Sequence, residues 1–140
     1  MKRIVIVTGP PCSGKTTYVR SNMGKNDVVF DFDEIKAAVC LCNPHDNKPH
    51  ARELINNIRH YFIEYVIHDN GNEIDTVFYI ECQANSQWLN RLRRATQAYI
   101  QVVNCEASLE ECLDRLENDD SRPDKASQRS IIMSYFPAGR

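Results

Sequence analysis

Residues 9–17 constrain this chain more than any other stretch. They read GPPCSGKTT and match G-x-x-x-x-G-K-[ST], a loop whose backbone N–H groups point inward at a phosphate. The run before them, RIVIVT at residues 3–8, is β-branched and apolar, as in a strand buried on both faces. The residues after them, from Lys15 to about Met23, are typical of a helix that ends near Gly24. A strand, a glycine-rich loop and a helix in this order predict a nucleotide-binding phosphate loop.

The residue types in this loop suit phosphate chemistry. The helix N-terminus adds its positive dipole to the N–H groups of the loop. The Lys15 ammonium can reach the β- and γ-phosphates of a nucleotide, and the Thr16 hydroxyl can bind Mg²⁺. Cys12 stands where related loops often carry glycine, and we expect its thiol to be inert. The predicted nucleotide-binding residues are Gly9, Pro10, Pro11, Cys12, Ser13, Gly14, Lys15, Thr16 and Thr17.

Strands and helices alternate along the rest of the chain. Apolar runs predict further strands at residues 27–30, 76–80 and 99–103. Apolar spacing and capping residues, including a Ser108–Glu111 capping box, predict the helices. These helices are expected at about residues 35–41, 51–66, 86–95, 109–116 and 131–136. The alternation predicts an α/β fold with a parallel four-stranded sheet, and 140 residues fit a single domain.

Charge and composition limit the classes of molecule that this protein can bind. The chain has 17 basic and 19 acidic residues, a net charge of −2, so it has no overall attraction for nucleic acid or acidic lipid. No apolar run approaches the roughly 20 residues of a membrane span, and the N-terminal run lacks a signal-peptide pattern. We therefore expect a cytoplasmic protein without a membrane partner, and its oligomeric state stays open. Its cysteines are expected to be reduced thiols: Cys12, Cys40, Cys42, Cys82, Cys105 and Cys112.

A phosphate loop alone does not separate kinases from ATPases and GTPases. No Asn-Lys-x-Asp motif follows, which argues against a GTPase, and the chain is too short for a AAA+ module with its helical lid domain. The remaining layout is that of a small kinase. Asp33 follows the second strand, where open α/β sheets bind ligands, and its carboxylate can accept a hydroxyl proton. The alternative for Asp33 is a helix N-cap, an interpretation that fits Asp31 better.

Three segments of the sequence resemble the kinase domain of phage polynucleotide 5′-kinases and their small relatives. They read VIVTGPPCSGKTTYVR, VVFDFDEIKAAV and LDRLENDDSRPDKASQRSIIMSYF. The resemblance implies the P-loop fold with strand order 2-3-1-4, and transfer of the γ-phosphate of ATP to the 5′-hydroxyl of a nucleic acid or nucleotide. It also implies that Asp33 is the general base. Lys36 replaces an arginine that holds the substrate phosphate in that family.

The same resemblance implies roles for residues later in the chain. Glu81 ends the third strand and corresponds to an acid that binds Mg²⁺, although an ion pair capping the strand is the alternative. Arg122 corresponds to a lid arginine that stabilises the transferred phosphate, and Arg129 is a second candidate for binding ATP. The lid spans about residues 118–126 of one kinase domain over residues 1–140. Its acids favour a small or neutral acceptor over a long polynucleotide: Asp119, Asp120 and Asp124.

Several other side chains could contact a substrate. Trp88 is a candidate stacking platform for a base, whereas Tyr61 and Tyr65 recur at helical spacing and are expected in the core. The arginines after the third strand are expected to form an exposed charged face rather than a backbone-binding patch: Arg91, Arg93 and Arg94. A zinc site is disfavoured because the spacing is not C-x₂-C, so we expect packed thiols and exposed histidines: Cys40, Cys42, His45 and His50.

Two other functions stay open. One is a nucleoside-monophosphate or small-molecule kinase, which the acidic lid favours and for which Arg52 and Arg59 are candidates to hold a monophosphate. The other is an ATP-dependent switch or regulatory ATPase without a phosphate acceptor, in which Asp33 would be only a helix cap. Transfer of label from ATP to a hydroxyl compound separates these possibilities.

Overall fold

The computed structural model describes residues 2–68, 73–81, 86–95 and 98–136, except the side chains of residues 67, 68, 86 and 88. Four strands form one sheet in which every neighbouring pair is parallel, in the order β2-β3-β1-β4. The predicted fold class, sheet and strand order are therefore confirmed. The strands are β1 (Arg3–Thr8), β2 (Val28–Asp31), β3 (Thr76–Glu81) and β4 (Tyr99–Asn104).

Helices connect and flank these strands. Each predicted helix is present, and a short 3₁₀ helix at Pro49–Ala51 precedes the longest one. None of the helices in the described residues combines the length and the apolar character of a membrane span. The helices are α1 (Lys15–Asn22), α2 (Phe32–Cys40), α3 (Arg52–His68), α4 (Ser86–Ala95), α5 (Leu109–Glu117) and α6 (Lys125–Tyr135).

The core lies on both faces of the sheet. Successive side chains of β1 point to opposite faces, and those of Ile4 and Ile6 pack with Ile55 of α3 on one face. On the other face, Val5 and Val7 join a separate cluster with α1. Because both faces of β1 are covered, this strand can be apolar throughout, as its sequence predicts. The sheet and the two helical layers hold the carboxyl ends of β1, β2 and β3 along one edge.

Two helices begin earlier than the sequence predicts. The α2 helix begins at Phe32 because the Asp31 carboxylate accepts a hydrogen bond from the Asp33 N–H at 3.0 Å. Asp31 is thus the N-cap, as predicted, and Asp33 lies inside the first turn. The α6 helix begins at Lys125 rather than at residue 131, and the Asp124 side chain caps it. Its first turns are polar, so they carry no apolar period that would reveal them.

The two tyrosines of α3 lie outside the core, so the expectation that they pack inside is wrong. Tyr61 is 73% exposed and Tyr65 is 46% exposed. Their rings stack on each other with centroids 6.5 Å apart, because residues four positions apart share one face of a helix. The inward face of α3 carries Ile55 and Ile63 instead.

Some predictions fall on residues outside the described part of the chain. These are the stacking role of the Trp88 side chain and the redox state of Cys82. Among the described residues, five cysteines carry free thiols, and no group of three or more His, Cys, Asp or Glu side chains is placed to hold a metal ion. His45 is not exposed as expected: 17% of its side chain is accessible, and it contacts Asp33.

Candidate active site

Two glycines shape the phosphate loop. Gly9 has a φ of +150°, and a Cβ there would lie 2.4 Å from the Ser13 Oγ and 2.7 Å from the Cys105 carbonyl oxygen. No larger residue fits. Gly14 is the N-cap of α1 with a φ of +96°, and it offers no side chain to the N–H groups of the first turn. The start of α1 therefore keeps the N–H donors and the positive dipole that bind an anion.

Polar groups of the loop point into its own interior. The Lys15 ammonium donates to the Gly9 carbonyl at 2.5 Å and to the Pro10 carbonyl at 3.0 Å. The Ser13 Oγ is buried and has no hydrogen-bond partner among the described residues. A buried hydroxyl without a partner costs free energy. The oxygens of a phosphate bound in the loop would accept a hydrogen bond from the Ser13 hydroxyl and remove this cost. The residues present thus fit the phosphates of a nucleotide.

A cleft of about 1360 Å³ opens above the loop. Its walls come from the loop and α1, the junction of β2 and α2, the end of β3, residues 44–49 and the turn between α5 and α6. Most predicted site residues meet here, as lining residues of this one cleft. These are Pro11, Cys12, Ser13, Gly14, Lys15, Thr16, Thr17, Asp33, Lys36, Glu81 and Arg122.

The Lys36 ammonium and the His45 imidazole flank the Asp33 carboxylate. The Lys36 ammonium lies 3.3 Å from Oδ1, and the His45 Nδ1 lies 3.5 Å from Oδ2. Lys36 is buried with only 8% of its surface accessible, so it is not a solvated surface lysine. Burial alone raises the pKa of Asp33, but the His45 imidazole and the Lys36 ammonium outweigh it and hold that pKa below its ordinary value. Asp33 is therefore ionised at neutral pH.

Asp31 differs from Asp33 although the two are close in sequence. Burial and the Asp33 carboxylate raise the pKa of Asp31, and its hydrogen bond to the Asp33 N–H offsets this only in part. Its carboxylate is occupied as the cap of α2. Of the two acids, Asp33 is the one whose carboxylate is not used as a helix cap.

Glu81 at the end of β3 is paired with Arg59 of α3 through a hydrogen bond from the guanidinium. This is the ion-pair arrangement weighed above. Burial raises the pKa of Glu81, and the Arg59 charge counteracts that rise. Both side chains also line the cleft. The Glu81 carboxylate therefore lines the same cleft as the phosphate loop and forms an ion pair with Arg59 there.

The turn between α5 and α6 holds Arg122 over the cleft. Its guanidinium donates to the Asp119 carboxylate at 3.2 Å and to the Gln128 Oε1 at 2.6 Å, and 15% of the side chain is accessible. Arg122 is thus held by protein partners and is not a solvated surface arginine. Hydrogen bonds from Ser121 and the nearby Arg122 hold the pKa of Asp119 below its ordinary value.

Arg129 does not join the other predicted residues. Its guanidinium pairs with Glu117 at 2.5 Å on an exposed face, where 49% of its side chain is accessible. It is not among the residues that line the cleft. Arg122 is therefore the better placed of the two candidate lid arginines.

Sequence reasoning gave several lining residues of this cleft no role in it, among them His45 and Arg115. His45 was weighed only as a zinc ligand. Arg115 was not considered, yet it lines the cleft and donates to the Cys12 carbonyl at 3.0 Å. The sequence does indicate where Arg115 lies on its helix. Arg115 follows Glu111 of the capping box by one helical turn, so the two share a face and form an ion pair. Burial raises the pKa of the Cys12 thiol itself.

The geometry of this cleft agrees with the comparison with known families. A family model described as an AAA domain matches residues 4–131, a range that holds the whole sheet apart from Arg3, the first residue of β1. This family groups P-loop kinase-like proteins, among them polynucleotide kinase-like and other kinases. Comparison with curated proteins gave no match. The chain therefore belongs to this AAA domain family and is a P-loop nucleotide-binding, kinase-like domain.

Proposed function

We propose that this protein is an ATP- and Mg²⁺-dependent kinase that transfers the γ-phosphate to a hydroxyl group. The proposed acceptor is the 5′-hydroxyl of a nucleic acid or nucleotide. One observation carries the proposal: an ionised Asp33, which does not cap a helix, lines the same cleft as the phosphate loop. A loop that binds ATP beside a carboxylate that can receive a proton is the minimal apparatus of phosphoryl transfer to an alcohol.

Each residue has a separate task in this reaction. The acceptor oxygen forms a bond to the γ-phosphorus while the bond from that phosphorus to the β–γ bridging oxygen breaks, and ADP leaves. Asp33 orients the hydroxyl and takes its proton. Lys15 and Arg122 offset the negative charge that spreads over the phosphate oxygens. Both cations line the cleft that would hold those oxygens.

The oxygen donors of the cleft fit a magnesium ion. The Thr16 hydroxyl follows the loop lysine, and the Glu81 carboxylate lines the same cleft; hydroxyl, carboxylate and water oxygens are the ligands that Mg²⁺ prefers. In this proposal the Thr16 hydroxyl would hold the ion, and Glu81, which is paired with Arg59, would hold water molecules bound to it. The ion would neutralise charge on the β- and γ-phosphates.

The cleft also supplies cations for the acceptor. Lys36, Lys48 and Arg52 are among its lining residues, and phosphate groups of an acceptor nucleotide are the anions that they suit. The α5–α6 turn, which we propose as the lid within residues 118–126 of a single kinase domain, adds Asp119 to the lining. The nearby Asp119 carboxylate would repel further phosphates and so favours a short or small acceptor. A cytoplasmic location goes with this proposal, since free thiols persist there.

A nucleoside-monophosphate or small-molecule kinase is the second candidate. The acidic lid favours it, and Arg52 lines the cleft where a monophosphate would bind. However, Arg59, the other arginine expected to grip that phosphate, is paired with Glu81. A switch without an acceptor is less favoured, because that function would leave Asp33 as a cap and Asp31 performs that task.

A label-transfer screen tests the proposal. ATP labelled at the γ-phosphate is incubated with the protein, Mg²⁺ and one acceptor at a time: 5′-hydroxyl DNA, 5′-hydroxyl RNA, mononucleotides or sugars. Label should appear on a 5′-hydroxyl, and the Lys15→Ala variant should give none. Label on a monophosphate or a sugar alone would favour the second candidate. ATP hydrolysis that no hydroxyl compound redirects would contradict the kinase proposal.

A further inference from the structure

His45 contacts the proposed base, Asp33, from a segment outside the helices and strands. It lies between α2 and the 3₁₀ helix, and its Nδ1 is 3.5 Å from the Asp33 Oδ2. Only 17% of the His45 side chain is accessible, whereas 42% of the Asp33 side chain is. The imidazole is therefore packed into the wall of the cleft, while the carboxylate that it faces remains open to a ligand.

A tight turn fixes the position of His45. The Asn43 side-chain oxygen accepts from the His45 N–H at 2.9 Å, and the Asp46 carboxylate accepts from the Asn43 N–H at 3.2 Å. The Asp46 N–H in turn donates to the Asn43 carbonyl at 3.0 Å. Side chains that satisfy the backbone of their own turn hold it in one conformation. The placement of His45 against Asp33 is thus set by the backbone around it.

The two oxygens of Asp33 have different partners. Lys36 contacts Oδ1 and His45 contacts Oδ2. With one contact on each oxygen, the carboxylate can rotate about its bond to Cβ only by losing both. An aspartate that must meet an incoming hydroxyl depends on such an orientation, because small misplacements of reacting groups lower rates steeply.

We propose that His45 is a positioning residue for Asp33, resting on the function proposed above. The His45 Nδ1–H holds Oδ2, Lys36 holds Oδ1, and the remaining lone pairs of the carboxylate face the acceptor hydroxyl. The proton of that hydroxyl goes to Asp33, so His45 neither gains nor loses a proton in the reaction. His45 acts on the orientation and the acidity of Asp33 and touches no reacting atom.

The charges around Asp33 set the direction of its response to pH. Asp31 of β2 and Glu34 of α2 lie beside it, and Lys36 and His45 face it; Asp46 lines the same cleft. Its two acidic neighbours favour the protonated carboxyl, and the two bases favour the ionised one. Removing His45 should therefore raise the pKa of Asp33. Only ionised Asp33 can take a proton. As the pH is lowered, the His45 variant should therefore lose activity at a higher pH than the parent protein does.

Two substitutions separate positioning from packing. His45→Ala removes the donor, and His45→Asn keeps a side-chain N–H near the place of Nδ1. We expect kcat to fall by about 10- to 100-fold in His45→Ala with the KM for ATP unchanged, and to recover to within about threefold in His45→Asn, since the donor is restored. His50→Ala is the matched control, because His50 is exposed and does not line the cleft. A loss of kcat that is equal in His45→Ala and His45→Asn would overturn the proposal.

A titration of Asp33 tests the same idea without any activity. Carbon-13 resonances of labelled aspartate carboxyls report the Asp33 pKa directly, and the Asp33→Asn variant assigns the signal. The Asp33 pKa should be higher in His45→Ala than in the parent protein, and the acidic limb of kcat/KM, which reports groups of the free enzyme, should move up in pH as well. An unchanged Asp33 pKa in the folded His45→Ala variant would refute the inference. Absence of label transfer in the parent protein, with the carboxyl shift present, would instead refute the proposed function.

Discussion

Asp31 and Asp33 lie on either side of the point where α2 begins. Asp31 accepts the Asp33 N–H and is the N-cap, while Asp33 turns its carboxylate to Lys36 and His45. The two residues share a chemical group and differ in surroundings. Their surroundings make one a structural residue and the other a candidate base.

Asp33→Asn tests this division of tasks. Asparagine keeps the shape of the side chain and cannot take a proton, so the folded variant should bind ATP and Mg²⁺ normally and lose label transfer by on the order of 10²- to 10⁴-fold. Asp31→Asn is the matched control, because asparagine caps a helix about as well as aspartate. Transfer that survives in Asp33→Asn and fails in Asp31→Asn would move the base to Asp31.

Cys12 adopts a backbone conformation that cysteine rarely takes. Its φ is +66°, in the left-handed region, and its carbonyl accepts from Arg115. Cys12→Val should lower the free energy of unfolding by about 1–2 kcal/mol more than Cys12→Gly does, because a β-branched residue is strained there. Urea denaturation of both variants measures the difference. Equal midpoints for the two variants would show that this position is not left-handed in solution.

The sequence predicted the roles of those site residues that depend only on nearby positions in the chain. The loop residues follow from a contiguous motif, and Asp33 follows from its place after a strand. The contact of Arg59 with Glu81 joins positions far apart in the chain, and no local pattern encodes it. His45 meets Asp33 only because the chain folds back after α2. Such contacts depend on tertiary structure, and a single sequence carries no local sign of them.

The α5–α6 hairpin is the element that brings an arginine to the cleft. Lys125, the first residue of α6, donates to the Leu116 carbonyl at 2.6 Å and to the Asp119 carbonyl at 2.5 Å. These carbonyls belong to the end of α5 and the turn after it. One ammonium therefore satisfies the backbone that leaves α5 and ties it to α6.

Lys125→Ala should loosen this hairpin. We expect the free energy of unfolding to fall by about 1–3 kcal/mol, because the hydrogen bonds from a charged donor are lost. Label transfer should fall as well, since Arg122 lies on the same turn. Lys25→Ala is the control: Lys25 is exposed in the turn after α1, and its removal should change stability by less than about 0.5 kcal/mol. A Lys125→Ala variant as stable as the control would mean that the ammonium does not hold the turn.

The hairpin also shows where prediction of elements succeeds. The Ser108–Glu111 capping box was visible in the sequence, and α5 begins directly after it. The start of α6 was missed because its first turns contain polar residues that face solvent, apart from the buried Gln128. A helical spacing of apolar residues reveals a helix only where that helix packs against a core.

The whole molecule has a net charge of −2, so attraction for an acceptor has to come from the cleft. We expect the KM for a 5′-hydroxyl oligonucleotide to rise about 3- to 7-fold between 50 and 200 mM salt, as for one or two released phosphate contacts. A nucleoside without phosphates should show no such rise. Initial rates at saturating ATP measure both. A KM that is independent of salt would point to a small, uncharged acceptor.

The hydrogen bond from Arg115 to the Cys12 carbonyl links the α5–α6 hairpin to the phosphate loop. Energetic coupling between two ligand sites is reciprocal. If bound ATP tightens the binding of an acceptor to the hairpin by some factor, then that acceptor must tighten the binding of ATP by the same factor. The affinity for the nucleotide is thus a property of α5 as much as of the loop. An acceptor that contacts only the hairpin would change the affinity for ATP without touching the nucleotide site.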